Sequence, residues 1–520
     1  MRRYIFILPA LLLLLLVACT KSQVTVTSNQ LYYNQYVGKG TSDEPFGRVM
    51  MTVAESKAKV NDITIDFSGT SALADIKSVK LFATADTVFC DASLLGEIST
   101  PSTSTVVMPI GEKLPVGNHV LWLTCDVREE ACEGNSITAM PTSVTIDGCA
   151  YPLEATNCKR DVLLAYSIVY DLNQDGSKYY RIPALVTAPD GALVAISDKR
   201  GDILTDLPNT ISIVSRRSTD GGRTWEAAVT VARGDSLTGK KYGDAAVVTD
   251  FVNNKIVAVF VGDKGLWDST AEEPQRLYLS ESYDSGKTWS EPRDITEQVY
   301  RGVYGRRAGY GMFAGSGHAL QLESGRLMFV VAARHSAKPY QSLHNYAVYS
   351  DDFGETWKVS QNSPTPSPSN RGDEAKVVEL ANGDILMSIR NPEKGYRKFA
   401  ISKTKGETWH PAYVSDNLIE PACDGDILRY TYQGKDLLIH SIPASKTDRE
   451  NVTIYISTDN GKTWDVKRQL VDGMSAYSSL TILPDGTIGC LVEVGRHVEP
   501  TDIGMRMIYY NFSLDWIFNK

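Results

Sequence analysis

One short turn sequence occurs five times in the last two-thirds of this 520-residue chain. Each copy follows the pattern Ser-x-Asp-x-Gly-x-Thr-Trp or departs from it at one position. A unit this short cannot bury its own apolar face, so a run of such units predicts an array in which neighbours cover one another. The five copies, called boxes below, are residues 218–225, 282–289, 350–357, 402–409 and 457–464.

The spacing of the boxes predicts the size of the repeating unit. Their third positions lie 64, 68, 52 and 55 residues apart, about 60 on average, and each box follows a strand-like run. About six such units fit into residues 160–520. A strand, a tight polar turn and another strand, repeated in this way, are typical of a β-propeller. We therefore expect a six-bladed β-propeller over 160–520.

The residue types within a box favour a structural role. Ser and Asp side chains accept hydrogen bonds from turn amides, Gly supplies a positive φ, and Trp buries a large ring between neighbouring sheets. The fourth copy has Thr404 in place of the aspartate. A role in forming the turn tolerates this change better than a catalytic role would.

Residues 24–155 contain no box and consist of short alternating apolar runs separated by Gly, Pro, Asn and Ser. This pattern predicts a small β-sandwich that resembles a carbohydrate-binding module. Binding of sugar, positioning of the second domain and a purely structural role are all compatible with it. The whole chain is thus expected to be all-β.

The N-terminus predicts export. Its apolar run, residues 4–17, is shorter than the roughly 20 residues that span a bilayer, which indicates a signal peptide. The run ends in Leu16-Val17-Ala18-Cys19, which resembles a bacterial lipobox, so residues 1–19 are predicted to be a lipoprotein signal peptide with lipidation at Cys19. The alternative is ordinary cleavage near Ala18. We expect a periplasmic or cell-surface protein, anchored to the outer membrane by its lipid.

The composition excludes some partners. A net charge of −9 argues against nucleic-acid binding, which requires a basic face. The seven histidines are scattered, and neither Cys-x-x-Cys nor His-Glu-x-x-His occurs, so no metal site and no cofactor are expected. We expect a monomer.

A second set of motifs lies outside the boxes. Tyr180-Arg181-Ile182-Pro183 opens the predicted propeller, and Asp206 follows Arg181 by 25 residues. Together with the boxes, this resembles the bacterial exo-α-sialidases, or neuraminidases, whose first blade opens with Arg-Ile-Pro and carries an acid about 25 residues later. The resemblance extends through residues 372–380, 387–391, 446–451 and 475–480.

The resemblance implies roles for individual residues. Asp206 is the expected general acid, Glu374 the base and Tyr477 the nucleophile. Further positions correspond to family residues that bind the substrate, with Glu493 orienting the first arginine. The expected substrate-binding residues are Arg181, Arg200, Asp244, Arg390 and Arg449.

The chemistry of sialic acid requires these residue types. Its anomeric carbon bears a carboxylate, which guanidinium groups bind with planar, permanently charged hydrogen bonds. A carboxylate nucleophile would be repelled by this group, whereas a neutral tyrosine would not; sialidases are the tyrosine exception among glycosidases.

The predicted function is hydrolysis of terminal α-linked sialic acids from sialylated glycans, with retention through a tyrosyl-linked intermediate. A trans-sialidase or a hydrolase of a related nonulosonic acid is the alternative. A non-catalytic glycan-binding propeller is less favoured, because a lectin needs neither the base Glu374 nor the nucleophile Tyr477.

Overall fold

The computed structural model of the chain describes residues 24–29, 35–85, 87, 89–156, 158–305, 307, 309–337, 343–495 and 504–519. The signal peptide and Cys19 lie outside these residues and stay predictions. Within the described part, no helix is long and apolar enough to cross a membrane. The chain divides into two compact units, the first of which includes Ser42–Arg128 and Ser136–Lys159.

The first unit contains two antiparallel sheets that pack on each other. A Cβ atom on Gly47 would lie 2.7 Å from Cδ of Pro141, so glycine permits the close approach of the sheets there. A short 3₁₀ helix spans Leu73–Asp75. In spatial order, the five-stranded sheet comprises Val24–Asn29, Glu44–Val53, Gly117–Val127, Ile76–Thr84 and Ser93–Ser99, and the four-stranded sheet comprises Cys149–Pro152, Met140–Ile146, Ala58–Asp66 and Thr105–Leu114.

Two segments inside the predicted first domain belong instead to the second unit, Tyr32–Thr41 and Glu129–Asn135. The strand Tyr36–Gly38 pairs in parallel with residues of Lys159–Leu163. The Tyr36 ring is buried beside Tyr510, with ring centroids 5.8 Å apart. The predicted domain boundaries, 24–155 and 160–520, therefore differ from the two units at these segments. Both segments pack against residues of the second unit that are far away in the sequence.

Beside the parallel pairing of Tyr36–Gly38, the described residues of the second unit form six sheets, each built on four antiparallel strands, and two helices, Thr296–Tyr304 and Leu514–Phe518. Sheet 1 comprises Tyr180–Thr187, Leu193–Lys199, Ser212–Ser218 and Val229–Ala232. Sheet 2 comprises Tyr242–Asp250, Lys255–Gly262, Arg276–Ser282 and Arg293–Asp294, with Gly317–His318 added in parallel. Sheet 3 comprises Met312–Ala314, Leu327–Arg334, Leu343–Ser350 and Lys358–Val359, with Leu320–Gln321 added. Sheet 4 comprises Ala375–Glu379, Ile385–Ile389, Gly395–Ser402 and Tyr413–Glu420. Sheet 5 comprises Asp426–Tyr432, Lys435–Pro443, Val452–Ser457 and Val466–Gln469. Sheet 6 comprises Ser475–Ile482, Ile488–Gly495, Met505–Phe512 and Ala165–Tyr170.

Sheet 6 closes a ring. Its outer strand, Ala165–Tyr170, comes from the start of the unit and pairs antiparallel with Met505–Phe512 near the C-terminus. Six apolar clusters lie between successive sheets, and one of them joins sheet 6 to sheet 1. The all-β class and the β-propeller are thereby confirmed.

The boxes form the expected turns. In the first box, Oγ of Ser218 donates to Oδ1 of Asp220 (2.8 Å) and accepts from the backbone N–H of Gly222 (2.9 Å). The carboxylate of Asp220 also accepts from the N–H (3.0 Å) and the hydroxyl (2.6 Å) of Thr224. The second, third and fifth boxes repeat these bonds.

The fourth box keeps the turn without its aspartate. The hydroxyl of Thr404 accepts from the N–H of Thr408 (2.8 Å), and Oγ of Ser402 accepts from the N–H of Gly406 (2.9 Å). One hydroxyl oxygen thus replaces one carboxylate oxygen. The structural role predicted for the boxes is confirmed.

Each box tryptophan packs in the cluster between its own sheet and the preceding one. Sheet 6 has no box, because its third and fourth strands lie at opposite ends of the unit's sequence. The cluster between sheets 5 and 6 contains Trp516 instead, from the helix Leu514–Phe518. The box tryptophans, in the order of sheets 1 to 5, are Trp225, Trp289, Trp357, Trp409 and Trp464.

Two glycines offer a matched test of ring closure. Both have positive φ, +89° at Gly222 and +75° at Gly239, so alanine at either costs about 1–2 kcal/mol of strain. A Cβ atom on Gly222 would also overlap the ring of Tyr509, which packs in the apolar cluster between sheets 6 and 1. A Cβ atom on Gly239 would have no atom within 4 Å. Overpacking should add about 1–3 kcal/mol to the cost of Gly222→Ala alone. Urea unfolding checks this, and equal shifts of the two midpoints would contradict it.

Candidate active site

A cleft of about 500 Å³ opens at the end of the ring where the first strands of the sheets begin. A second cavity, of about 550 Å³, lies at the other end of those strands. The strand Tyr180–Thr187 shows this, because Arg181 near its start lines the first cleft and Thr187 at its end lines the second cavity. The first cleft contains the convergent charged groups and is the candidate active site. Of the residues expected from sequence, those lining it are Arg181, Asp206, Asp244, Glu374, Arg390, Arg449 and Tyr477.

Irregularities in the first strands of three sheets occur beside cleft residues. The pairing register shifts between Arg181 and Ala184 in sheet 1, between Gly243 and Ala246 in sheet 2, and between Ser475 and Ser478 in sheet 6. Such bulges re-aim side chains that regular alternation would send to fixed faces. Arg181, Asp244 and Tyr477 lie at or within these three shifts.

A buried carboxylate holds the first arginine. Glu493, on the second strand of sheet 6, is fully buried and accepts from Nε (2.6 Å) and Nη2 (3.0 Å) of Arg181. It also accepts from the backbone N–H groups of Ile182 (2.8 Å) and Tyr477 (3.3 Å). Ile182 has φ of +63°, an unfavourable conformation for a β-branched residue. Glu493 therefore orients Arg181, stabilises the strained backbone beside it and ties sheet 6 to sheet 1.

Tyr477 and Glu374 form the centre of the site. The Tyr477 hydroxyl donates to Oε1 of Glu374 at 2.5 Å. Nη1 of Arg390 donates to Oε2 of Glu374 (2.5 Å) and to the Tyr477 oxygen (3.0 Å). Both Tyr477 and Glu374 are only 6% exposed. Tyr477 lies on the first strand of sheet 6 and Glu374 directly precedes the first strand of sheet 4, so the contact brings together positions 103 residues apart.

The electrostatics of this pair suit proton transfer from phenol to carboxylate. Burial favours the neutral form of Glu374, but Arg390 and the hydrogen bond from Tyr477 outweigh it and lower the pKa of Glu374. Burial and the Glu374 carboxylate raise the pKa of Tyr477 well above its usual value, although Arg390 and Arg449 oppose this. A neutral phenol thus faces an ionised base, the arrangement needed before nucleophilic attack.

Three guanidinium groups surround the Tyr477 ring. Cζ of Arg181 and Cζ of Arg449 each lie 5.3 Å from its centroid, and Arg390 bonds to its oxygen. Nη2 of Arg449 also donates to the carbonyl of Ala422 (3.3 Å). Permanent positive charge concentrated in a partly desolvated cleft is suited to an anionic ligand.

Asp206 lies at the exposed side of the cleft, with 76% of its side chain accessible. Nη1 of Arg200 lies 2.7 Å from its Oδ1, while Nη2 of Arg200 donates to Asp198 (3.0 Å). The Arg200 side chain is 1% exposed and does not line the cleft. Arg200 is bonded to the carboxylates of Asp198 and Asp206 and lies behind Asp206, so the direct substrate-binding role expected for it stays a prediction.

Asp244 is part of the same acidic group. Its backbone N–H donates to Oδ1 of Asp198 (3.1 Å). Burial, together with Asp198 and Asp206, raises the pKa of Asp244 well above its usual range. A neutral Asp244 would offer the cleft a hydrogen-bond donor, which suits contact with polar substituents of a sugar.

Sequence reasoning missed other residues of the cleft. Asp373 precedes the expected base, so adjacency could have indicated it, but Arg371 carried no such signal. Trp267 also lines the cleft, whereas Phe260 in the same stretch of chain is fully buried in the core. The apolar side of the cleft is formed by Leu207, Leu266, Trp267, Phe313 and Leu343.

Comparison with known proteins places these features in a family. The model of the BNR repeat-like domain matches residues 208–490, more than half of the chain. The chain is 34% identical over 364 residues to a sialidase of Micromonospora viridifaciens, covering 66% of this chain and 53% of that protein, so it spans about half the length of this relative. It is 28% identical over 503 residues to a sialidase of Bacteroides fragilis, covering 89% of each.

Solved structures share the fold. The Hadza microbial sialidase Hz136 matches with a TM-score of 0.68 at 24% identity, covering 93% of this chain and 98% of that one. The intramolecular trans-sialidase from Ruminococcus gnavus matches with a TM-score of 0.59 at 18% identity, covering 68% and 98%. The protein therefore belongs to the BNR repeat-like domain family and is a homologue of the bacterial sialidases.

Proposed function

We propose that this protein is an exo-α-sialidase that hydrolyses terminal α-linked sialic acids of glycoproteins, glycolipids and oligosaccharides with retention of configuration. The observation that carries the proposal is the hydrogen bond from the Tyr477 hydroxyl to Glu374, amid three guanidinium groups. A binding site alone would gain nothing from a base paired with a neutral nucleophile.

In the first step, the arginines bind the carboxylate of the sugar and hold its anomeric carbon near Tyr477. The tyrosine oxygen attacks that carbon while Glu374 takes the phenolic proton. Asp206 donates a proton to the glycosidic oxygen, and the aglycone leaves. Positive charge from Arg390 at the tyrosine oxygen favours both the loss of its proton and its later departure.

In the second step, water attacks the anomeric carbon of the tyrosyl-linked sugar. Asp206, now a carboxylate, accepts a proton from this water, and its high exposure allows water to reach it. The bond from the tyrosine oxygen to carbon breaks, and Glu374 returns the proton to Tyr477. Two displacements at one carbon give net retention.

Two substitutions test the assigned roles on a fluorogenic aryl sialoside and on sialyllactose. Tyr477→Phe should lower kcat/KM for both by about 10³-fold or more, because the nucleophile is lost. Asp206→Ala should lower it by about 10²–10⁴-fold on sialyllactose but less on the aryl sialoside, whose leaving group needs little protonation.

Tyr413→Phe is the matched control, since it removes a hydroxyl from a ring that is 42% exposed on the outer strand of sheet 4. Undiminished turnover by Tyr477→Phe would refute its role as nucleophile.

Products formed with excess lactose decide between hydrolysis and transfer. Free sialic acid is expected, and new sialyllactose from the aryl sialoside would favour the trans-sialidase alternative.

The pH dependence tests the base. Glu374 must be ionised to act, and Arg390 helps to lower its pKa. In Arg390→Met the pKa of Glu374 should rise, so the acid limb of the kcat/KM profile should move to higher pH. Arg371→Met, which removes a cleft arginine paired with Glu393 at 2.7 Å, should leave that limb in place. An unmoved limb in Arg390→Met would show that another group controls it.

We propose further that the protein is an exported outer-membrane lipoprotein, anchored through Cys19 and present as a monomer. The lipobox-like sequence before Cys19 supports export and the lipid anchor. Expressed in a Gram-negative host fed an alkyne fatty acid, the wild-type protein should incorporate the label and Cys19→Ser should not. Equal labelling of both would remove the lipid anchor from the proposal.

A further inference from the structure

Glu420 is a second buried carboxylate near the cleft, at the end of the outer strand of sheet 4. It is fully buried and does not line the cleft. One of its oxygens accepts from the backbone N–H of Asn391. The other accepts from the backbone N–H of Cys423 (3.3 Å) and from Nη1 of Arg397 (3.2 Å).

The two backbone amides belong to the two connections that serve the arginines. Asn391 directly follows Arg390, which bonds to the Tyr477 oxygen and to Glu374. Cys423 directly follows Ala422, whose carbonyl accepts from Arg449. Ala422 has φ of +59°, a conformation that a residue with a Cβ atom rarely adopts. A single carboxylate therefore ties together the backbone at Arg390 and the strained turn that bonds to Arg449.

Arg397 holds Glu420 in turn. It is fully buried, and it donates from Nη1 to the carbonyl of Cys423 (2.8 Å) and from Nε to Oγ of Ser388 (2.9 Å). The arrangement repeats that of Glu493, which likewise accepts from two backbone N–H groups and one arginine. In the Glu493 case the bound arginine enters the cleft, whereas Arg397 stays behind it.

We propose that Glu420, held by Arg397, is a positioning residue that sets the placement of Arg390 and Arg449 and thereby the affinity of the cleft for the substrate carboxylate. The inference rests on the sialidase activity proposed above. A charged acceptor with three donors keeps both connections in one geometry before ligand arrives, and small displacements of binding groups cost large factors in affinity and rate.

Glu420→Gln tests the proposal with little change in volume. The amide removes the charge and turns one acceptor into a donor that faces another donor. We expect KM for an aryl sialoside, and the dissociation constant of 2,3-didehydro-2-deoxy-N-acetylneuraminic acid, to rise about ten-fold or more. Turnover at saturation, corrected for the active fraction, should fall less than KM rises. Arg397→Lys, which keeps a cation, should show a smaller rise.

The control is Glu281→Gln in sheet 2, which breaks another largely buried ion pair, with Lys255 at 2.5 Å, away from the cleft. A merely structural role would lower the melting temperature in both variants and leave KM and the dissociation constant unchanged. Unchanged constants in folded Glu420→Gln would overturn the proposal. If Glu420→Gln does not fold, wild-type values of KM and of the dissociation constant in Arg397→Lys would overturn the proposal. A wild-type protein that neither cleaves the sialoside nor binds the analogue would instead refute the proposed function.

Discussion

Closure of the ring is the constraint on which the rest of the second unit depends. Ala165–Tyr170 completes sheet 6 by pairing with Met505–Phe512, and the cluster between sheets 6 and 1 is packed by that junction. Without it, Arg181 on the first sheet and Glu493 on the last would have no reason to meet. The bidentate contact between these residues, 312 positions apart, exists because the ends of the array are joined.

The cleft concentrates charge that burial alone would disfavour. An ion removed from water costs several kcal/mol unless partners replace its hydration. Two buried carboxylates have specific donors: Glu493 has Arg181 and two backbone amides, and Glu374 has Arg390 and Tyr477. This pairing orients the arginines and keeps the Glu374 carboxylate ionised beside the neutral phenol of Tyr477.

Scaffold and chemistry are divided between different parts of each sheet. The boxes lie between third and fourth strands, and their tryptophans join neighbouring sheets. The expected catalytic residues lie outside the boxes, on or beside first strands or on connections at the cleft end. Bulges in the first strands redirect the side chains of Arg181, Asp244 and Tyr477 away from the faces that regular strand alternation would give them. The scaffold strands can therefore present residues to the cleft.

The sequence by itself predicted the repeat, the approximate number of units and the positions of Asp206, Glu374 and Tyr477, because box spacing and local motifs depend on residues close together in the chain. It did not determine that segments near Tyr36 and Glu133 join the second unit, that Arg200 lies behind Asp206, or that Glu420 links two arginine-bearing connections. These facts depend on burial and hydrogen bonding between residues far apart in the chain. Only the closed tertiary structure decides which distant groups share a low-dielectric space, and therefore which charges pair with each other and which face the ligand.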